Sequence, residues 1–321
     1  MNGTAADRVR SRSAPCTQHA FVSSRVGGLS IRHPRDLPPE HVLRAIEAHR
    51  RNAERGREFC EHWGPSSSVS RVLLRREQDD LDLAVKWNHS RGARAAVTEW
   101  LRGSRAARAV AGSEELHRLG IAHPEVVAIA ERRRPGRVIE SYLITRFLVG
   151  STPLPALMPQ LLAAPRRRRA VAFEIGRVVG ALHAAGLDHG DLKHSNRLVT
   201  ADDRIALLDL DSLVPPRRPI WRRRVRALGQ LEAYASDLYP DLPRSDRARV
   251  LRGYFEREPA LRARRRLLVR DVQRWVEQRI ARWQGRDRAL HIYYPLAPRA
   301  PLAATLVDLR EPGASRREDA R

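Results

Sequence analysis

Lysine is almost missing from this 321-residue chain. Lys86 and Lys193 are its only lysines, although Lys and Arg together number 60. Cysteine is as scarce: Cys16 and Cys60 are too few for a disulfide framework and form no metal-binding pattern. A reducing, cytoplasmic compartment is the expectation from such usage. No apolar run approaches the roughly 20 residues that a bilayer-spanning helix needs. Residues 1–20 lack the apolar stretch of a secretory signal, so a secreted route is not expected. Acidic residues are short too: 37 of them against 60 bases leave a net charge of +23.

What is present suits a folded protein. Hydrophobic residues make up 42% and charged residues 30%, the balance of an ordinary soluble domain. The length allows one two-lobed domain or two small ones. The positive excess would attract polyanions such as anionic headgroups, phosphorylated glycans or nucleic acid, or it reflects only a bias toward Arg. The two spared lysines carry more information. Arg replaces Lys well on a surface, but not where a compact ammonium must fit a tight phosphate site.

Residues 1–20 and 299–321 read as tails, the first of them basic. Between them, residues 21–148 read as strand-rich and residues 149–298 as helical, with Gly150-Ser-Thr-Pro at the boundary. Pro38-Pro39-Glu40 begins a helix, and Val69 to Arg75 and Leu81 to Trp87 alternate as paired strands. A helix is expected over about Gly92 to Leu119, then strands over Glu125 to Glu131 and Glu140 to Leu148. Val171, Ile175, Val178, Val179 and Leu182 form the buried stripe of another helix. Two short strands follow, and Arg222 to about Trp283 is helical in pattern.

The strongest local signal is His189-Gly-Asp-Leu-Lys-His-Ser-Asn196, followed by an apolar strand ending in Asp209-Leu-Asp211. Phosphoryl transfer requires a carboxylate beside the acceptor hydroxyl and Mg²⁺ to neutralise the phosphates. Asp191 is placed to orient or deprotonate the acceptor, and Lys193 to reach the transferring group. Asn196 and Asp209 offer one neutral and one charged oxygen ligand to Mg²⁺. Leu83-Ala84-Val85-Lys86 matches the strand that holds ATP in kinases. On that strand Ala84 and Lys86 share a face, where Ala84 can floor the adenine and Lys86 can hold the α- and β-phosphates. Ahead of it, Ser66, Ser67 and Ser68 lie where a phosphate-covering loop belongs, although a plain polar turn fits them as well. Glu114 is the expected partner of Lys86, with Glu99 and Glu115 as alternatives.

With these motifs assembled, the chain resembles the lipopolysaccharide kinase family, which phosphorylates heptose or Kdo sugars of the inner core. The likeness is carried by Ser104-Arg-Ala-Ala-Arg-Ala109, Leu116-His-Arg-Leu-Gly-Ile-Ala-His-Pro124, Ser141-Tyr-Leu-Ile-Thr145, and the catalytic and metal loops. Ser245-Asp-Arg247 through Leu251-Arg-Gly-Tyr254 resembles a late helix of the family, so the coverage is about residues 59 to 285. The resemblance implies an α+β, two-lobed protein-kinase-like fold and transfer from ATP-Mg²⁺ to a sugar hydroxyl of a phosphorylated glycolipid. It also implies work at the inner face of a membrane, with peripheral contact to its anionic surface. Nucleic acid is not expected as a specific partner. Arg146 stands where the family usually has Glu, Ala122-His123 where it has Pro-Thr, and Ala109 where many relatives place a helix Glu. Two other functions fit the residues: a small atypical Ser/Thr protein kinase, which Lys193 favours, and a catalytically weak kinase fold that binds polyanions. Against the first stands a segment of only about ten residues after Asp211, with no A-P-E motif to seat a peptide.

Overall fold

The computed structural model describes residues 21–64, 67–77, 79–89, 99, 103–134, 137–214, 220–284 and 302–310. Gly27 and Gly28 both take positive φ, the backbone of a tight hairpin turn, and join β1 (Phe21–Val26) to β2 (Leu29–Pro34). Helix α1 (Pro39–Arg55) starts on a proline, whose missing N–H costs nothing in the first turn. It packs behind β4 (Ser67–Arg75) and β5 (Asp80–Asn88), and the short β3 (His62–Gly64) pairs with β4. Helix α2 (Arg105–Arg118) is capped by Ser104, whose hydroxyl accepts from the Ala107 N–H at 3.0 Å. Gly103, with φ 78°, turns the chain just before that cap. Of the helix expected from residue 92, residues 92–98 and 100–102 lie outside the described residues. Strands β6 (Val126–Arg134) and β7 (Arg137–Arg146) complete this lobe.

The second lobe holds β8 (Thr152–Pro153), α3 (Leu154–Ala163) and α4 (Pro165–Ala184). Four short strands follow, β9 (Asp188–His189), β10 (Arg197–Val199), β11 (Ile205–Leu207) and β12 (Leu213–Val214). Helices α5 (Trp221–Leu238), α6 (Arg244–Arg257) and α7 (Arg265–Gln284) divide the long helical stretch into three. Helices α4 and α6 cross so closely that a Cβ on Gly176 would collide with the Val250 carbonyl, and one on Gly253 with that of Phe173. The chain then returns to the first lobe as β13 (Thr305–Asp308).

The main sheet runs β1-β2-β6-β7-β5-β4-β13, with β3 also on β4. Its neighbours are antiparallel except β13, which lies parallel to β4 with Thr305 opposite Val72. This corrects the reading of residues 299–321 as a tail: 302–310 is ordered, and Asn52 donates to the Thr305 hydroxyl at 2.8 Å. Each lobe has its own core. One gathers Leu29, Ile31, Ile46, Leu74, Leu83 and Ile144; the other gathers Leu116, Leu161, Leu182, Leu207 and Tyr254. The apolar side of α2 belongs to the second core, although its sequence lies between strands of the first. Helix α2 therefore ties the lobes together at the site.

Behind the sheet, the fully buried His49 of α1 bridges two hydroxyls of β4, with Nδ1 2.8 Å from Ser70 Oγ and Nε2 3.1 Å from Ser68 Oγ. Burial, aided by the charges of His89 and Arg50, lowers its pKa from 6.5 to about 4. The unfolded chain then binds more protons than the folded one between those values, so stability falls as pH drops through that window. The expected loss from His49 alone is about 2 kcal/mol on going from pH 7 to pH 5. Urea unfolding at both pH values measures it. His49→Gln should be less stable at pH 7 but lose visibly less on acidification, and an unchanged slope would refute this account.

Candidate active site

Strand β5 presents Lys86 at the junction of the lobes. Its alternation puts Ala84 and Lys86 on one face, with Ala84 opposite Thr145 on β7 and Lys86 opposite Val69 on β4. The Lys86 ammonium sits 2.6 Å from Asp209 Oδ1 and 3.6 Å from Asp211 Oδ1. Lys86 and Asp209 are 123 residues apart in sequence, so this contact is made by the fold alone. Asp209 is one of two described non-glycine residues with positive φ, at φ 58° and ψ 52°. Such a conformation is sparsely populated, and here it turns the carboxylate from the end of the β10–β11 hairpin toward the lobe junction. Ser212 fixes the turn by donating its hydroxyl to Asp209 Oδ2 at 2.7 Å. Burial pushes the Asp209 carboxyl up, but the charge and hydrogen bond of Lys86, with Ser212, hold it far below the ordinary carboxylate range.

The loop from His189 to Asn196 lies against the segment that leads to Asp209, since the Leu208 N–H donates to the Asn196 carbonyl at 2.9 Å. Asn196 Nδ2 donates to the Asp191 carbonyl at 2.9 Å and to Asp191 Oδ2 at 3.1 Å. Lys193 Nζ lies 2.9 Å from the same carboxylate oxygen. His189 anchors the loop through Nε2, 2.9 Å from the Leu208 carbonyl, and the Leu192 N–H donates to Gln230 on α5 at 3.2 Å. With its amide nitrogen committed to Asp191, the Asn196 side-chain oxygen is left as an acceptor. Asn196 and Asp209 thus offer the hard oxygen ligands that suit Mg²⁺. Among the described residues no cluster of three or more His, Cys, Asp or Glu could hold a metal by itself. Mg²⁺ in kinase sites is typically held by few protein oxygens together with substrate phosphates, and the two residues here fit that pattern.

Other expected members lie elsewhere. Glu114 is exposed on α2, away from the buried stripe of Ala106, Ala109, Val110 and Leu116. The carboxylates beside Lys86 are instead Asp209 and Asp211, and α2 contributes arginines. Arg105 Nε donates to Asp211 Oδ2 at 2.8 Å, and Arg108 lies 3.8 Å from it. This approach needs a glycine, since a Cβ on Gly112 would collide with the Leu210 carbonyl. Ser66 lies outside the described residues. Ser67, buried, shares the Lys86 face of the sheet, because it stands opposite Asn88 and two residues from Val69. Ser68 stands opposite Trp87 on the other face, and its hydroxyl meets His49 rather than the phosphate side. Sequence reasoning passed over His62, which faces the site opposite Val69. Burial and the nearby charges of Lys86 and Lys193 lower its pKa to about 4, so it is neutral at pH 7.

The model of the lipopolysaccharide kinase (Kdo/WaaP) family matches residues 67–254, more than half of the chain, and takes in Lys86, Asp191, Lys193, Asn196 and Asp209, while His62 lies just before it. The chain belongs to this family. Lipopolysaccharide core heptose(I) kinase WaaP of Pseudomonas aeruginosa is 32% identical over 156 residues, 44% of this chain and 56% of that protein. The chain thus spans little more than half the length of that relative. Ribosomal protein S6 kinase alpha-6 of Danio rerio is 34% identical over 80 residues, 25% of this chain and 10% of that one. Among solved structures, WaaP in complex with acyl carrier protein is similar at a TM-score of 0.49 and 26% identity, covering 75% of this chain and 96% of that one. A crystal structure of WbdD is similar at 0.38 and 16%, covering 62% and 46%. The architecture is α+β and two-lobed, a strand-rich lobe and a helical lobe meeting at Lys86 and Asp209.

Proposed function

We propose that the protein transfers the γ-phosphoryl group of ATP to a sugar hydroxyl of lipopolysaccharide core or a related envelope glycolipid. The observation that supports this reading is a pair of contact sets, Lys86 with Asp209 and Asp191 with Lys193 and Asn196, held side by side by the Leu208 N–H, which donates to the Asn196 carbonyl at 2.9 Å, and by His62, which feels Lys86, Lys193 and Asp209 alike. Lys86 holds the α- and β-phosphates, and Asp211, gripped by Arg105, keeps the ammonium in place when Asp209 turns to a metal ion. Asp191, pinned by Asn196, orients the acceptor hydroxyl and takes its proton. Lys193 meets the charge that builds on the transferring group. A divalent ion held by Asn196 and Asp209 would neutralise the β- and γ-phosphate oxygens. Only residues 215–219 separate β12 from Ile220, just before α5, which leaves little chain to seat a peptide and supports a small or glycan acceptor.

Three Arg-rich runs, 166–169, 217–224 and 262–266, add to the positive charge, and some of their arginines already pair with acids. Arg168 pairs with Asp246 and Arg224 with Glu258, each at 2.5 Å, while Arg166, Arg169, Arg262 and Arg264 to Arg266 are exposed. The exposed set supports peripheral contact with an anionic membrane surface. Among the described residues no helix is long and apolar enough to cross a membrane. The test is transfer of labelled phosphate from ATP to deacylated lipid A–core oligosaccharide, with Asp191→Ala as the blank. ATP- and Mg²⁺-dependent labelling above the blank is expected. Labelling at the blank level, or labelling of proteins alone, would overturn the reading.

A further inference from the structure

Beside Asp191 lies a cluster that phosphoryl transfer itself does not use. The His194 ring is 4.7 Å from that of Tyr234 on α5, and Tyr234 is 5.1 Å from Trp283 near the end of α7. The Arg279 guanidinium stands 5.3 Å from the Trp283 ring and 5.9 Å from that of Trp275. Tyr234 is close enough to Asp191, Lys193, Arg279 and Arg197 to be influenced by all four, so one acid there faces three cations.

Two of those cations are unusual. Arg279 is half-buried, has no carboxylate within ion-pair range among the described residues, and its Nε is buried without a hydrogen-bond partner. Arg197 is buried, likewise has no carboxylate, and an orphaned Nε. Burial lowers its pKa to about 10, and the groups influencing it are the phenols of Tyr239 and Tyr234, the former with its hydroxyl unpartnered. Elsewhere in this lobe enclosed arginines have found acids, as Arg168 and Arg224 did. An enclosed guanidinium with no paired carboxylate carries a desolvation cost. The cost falls when an anion arrives.

We propose that Arg279, with the aromatic edge of His194, Tyr234 and Trp283, forms an acceptor subsite that binds an anionic substituent of the sugar acceptor. The inference rests on the sugar-kinase reading above and adds where and how the acceptor is recognised. The guanidinium presents paired N–H donors that match two oxygens of a phosphate monoester or a carboxylate. The half-buried rings of His194 and Tyr234 offer the apolar surface on which a sugar face packs, with the buried Trp283 supporting Tyr234, while the buried Arg197 adds to the positive potential without touching the ligand. The substituent would thus be held on one side of Asp191 and the hydroxyl to be phosphorylated beside it.

Calorimetric binding without ATP tests the subsite independently of transfer. Three probes are compared: deacylated lipid A–core oligosaccharide as isolated, after phosphatase treatment, and after amidation of its carboxylates. The wild type should bind the intact probe about tenfold or more tightly than one of the two stripped forms, which identifies the recognised group. Arg279→Ala should lose that preference, weakening the intact probe about tenfold and leaving the deciding stripped form unchanged, and Arg279→Lys should regain part of it. In the transfer assay Arg279→Ala should raise the acceptor KM with kcat changed less than threefold. Equal weakening on all three probes, or a wild type that does not discriminate among them, would overturn the subsite. Arg279→Gln, closer in shape, repeats the measurement if the alanine variant does not fold. Discrimination without any transfer by the wild type would instead remove the kinase reading and leave the subsite standing.

Discussion

Asp209→Asn should lower kcat by about three orders of magnitude, close to 4 kcal/mol of transition-state stabilisation. Asn keeps the shape of Asp and tolerates the left-handed backbone at φ 58°, so the turn that carries residue 209 should survive. The Ser212 hydroxyl, 2.7 Å away, can still donate to the remaining oxygen. What goes is the negative charge. Lys86, now 2.6 Å from Asp209, is left with Asp211 at 3.6 Å, and the proposed metal ligands become two neutral amides. The variant should therefore need much higher Mg²⁺ for whatever activity remains, and circular dichroism should show an intact fold. Activity within tenfold of wild type at the same Mg²⁺ dependence would remove Asp209 from the metal site.

The site was legible in the sequence where chemistry imposes a fixed spacing, and illegible where tertiary packing decides. The loop from His189 to Asn196 and the Leu83–Lys86 motif are local patterns; Asn196 reaches Asp191 within the loop, and Lys86 reaches Asp209 across the fold. Ser68 shows how local reading fails. Once β4 begins at Ser67, a one-residue step moves a side chain to the opposite face, and Ser68 goes to His49. Glu114 was sought because a kinase lysine usually takes its acid from the following helix. Here Asp211 stands two residues past Asp209, and α2 supplies Arg105 to hold it. Strand β13 had no local signal, since four residues between Ala- and Pro-rich stretches gain strand character only by lying against β4. Trp275, Arg279 and Trp283 share a face of α7 through their spacing of four, but Tyr234 joins them only because α7 folds back on α5, so no motif announces the cluster.

Lys86→Arg is the second substitution with a large expected effect, at least a hundredfold in kcat/KM for ATP, or about 2.7 kcal/mol. By charge it is conservative, and Arg is the base this chain uses at every position but two. The geometry says otherwise. Lys86 is 18% exposed and threads a single Nζ between carboxylates of Asp209 and Asp211. A guanidinium is planar, wider and carried on a longer arm; it would pair bidentately with one carboxylate and hold Asp209 away from a metal ion. Lys193→Arg should cost far less, about tenfold or under, because Lys193 is twice as exposed at 36% and meets Asp191 from the open side of the loop. The two variants form an internal control, since drift in composition would predict equal tolerance at both positions. Loss of the thermal shift given by ATP-Mg²⁺ in Lys86→Arg, with its retention in Lys193→Arg, would locate the difference in nucleotide binding. Activity of Lys86→Arg within threefold of wild type would mean that a compact ammonium is not required there, and the sparing of these two lysines would lose its chemical reason.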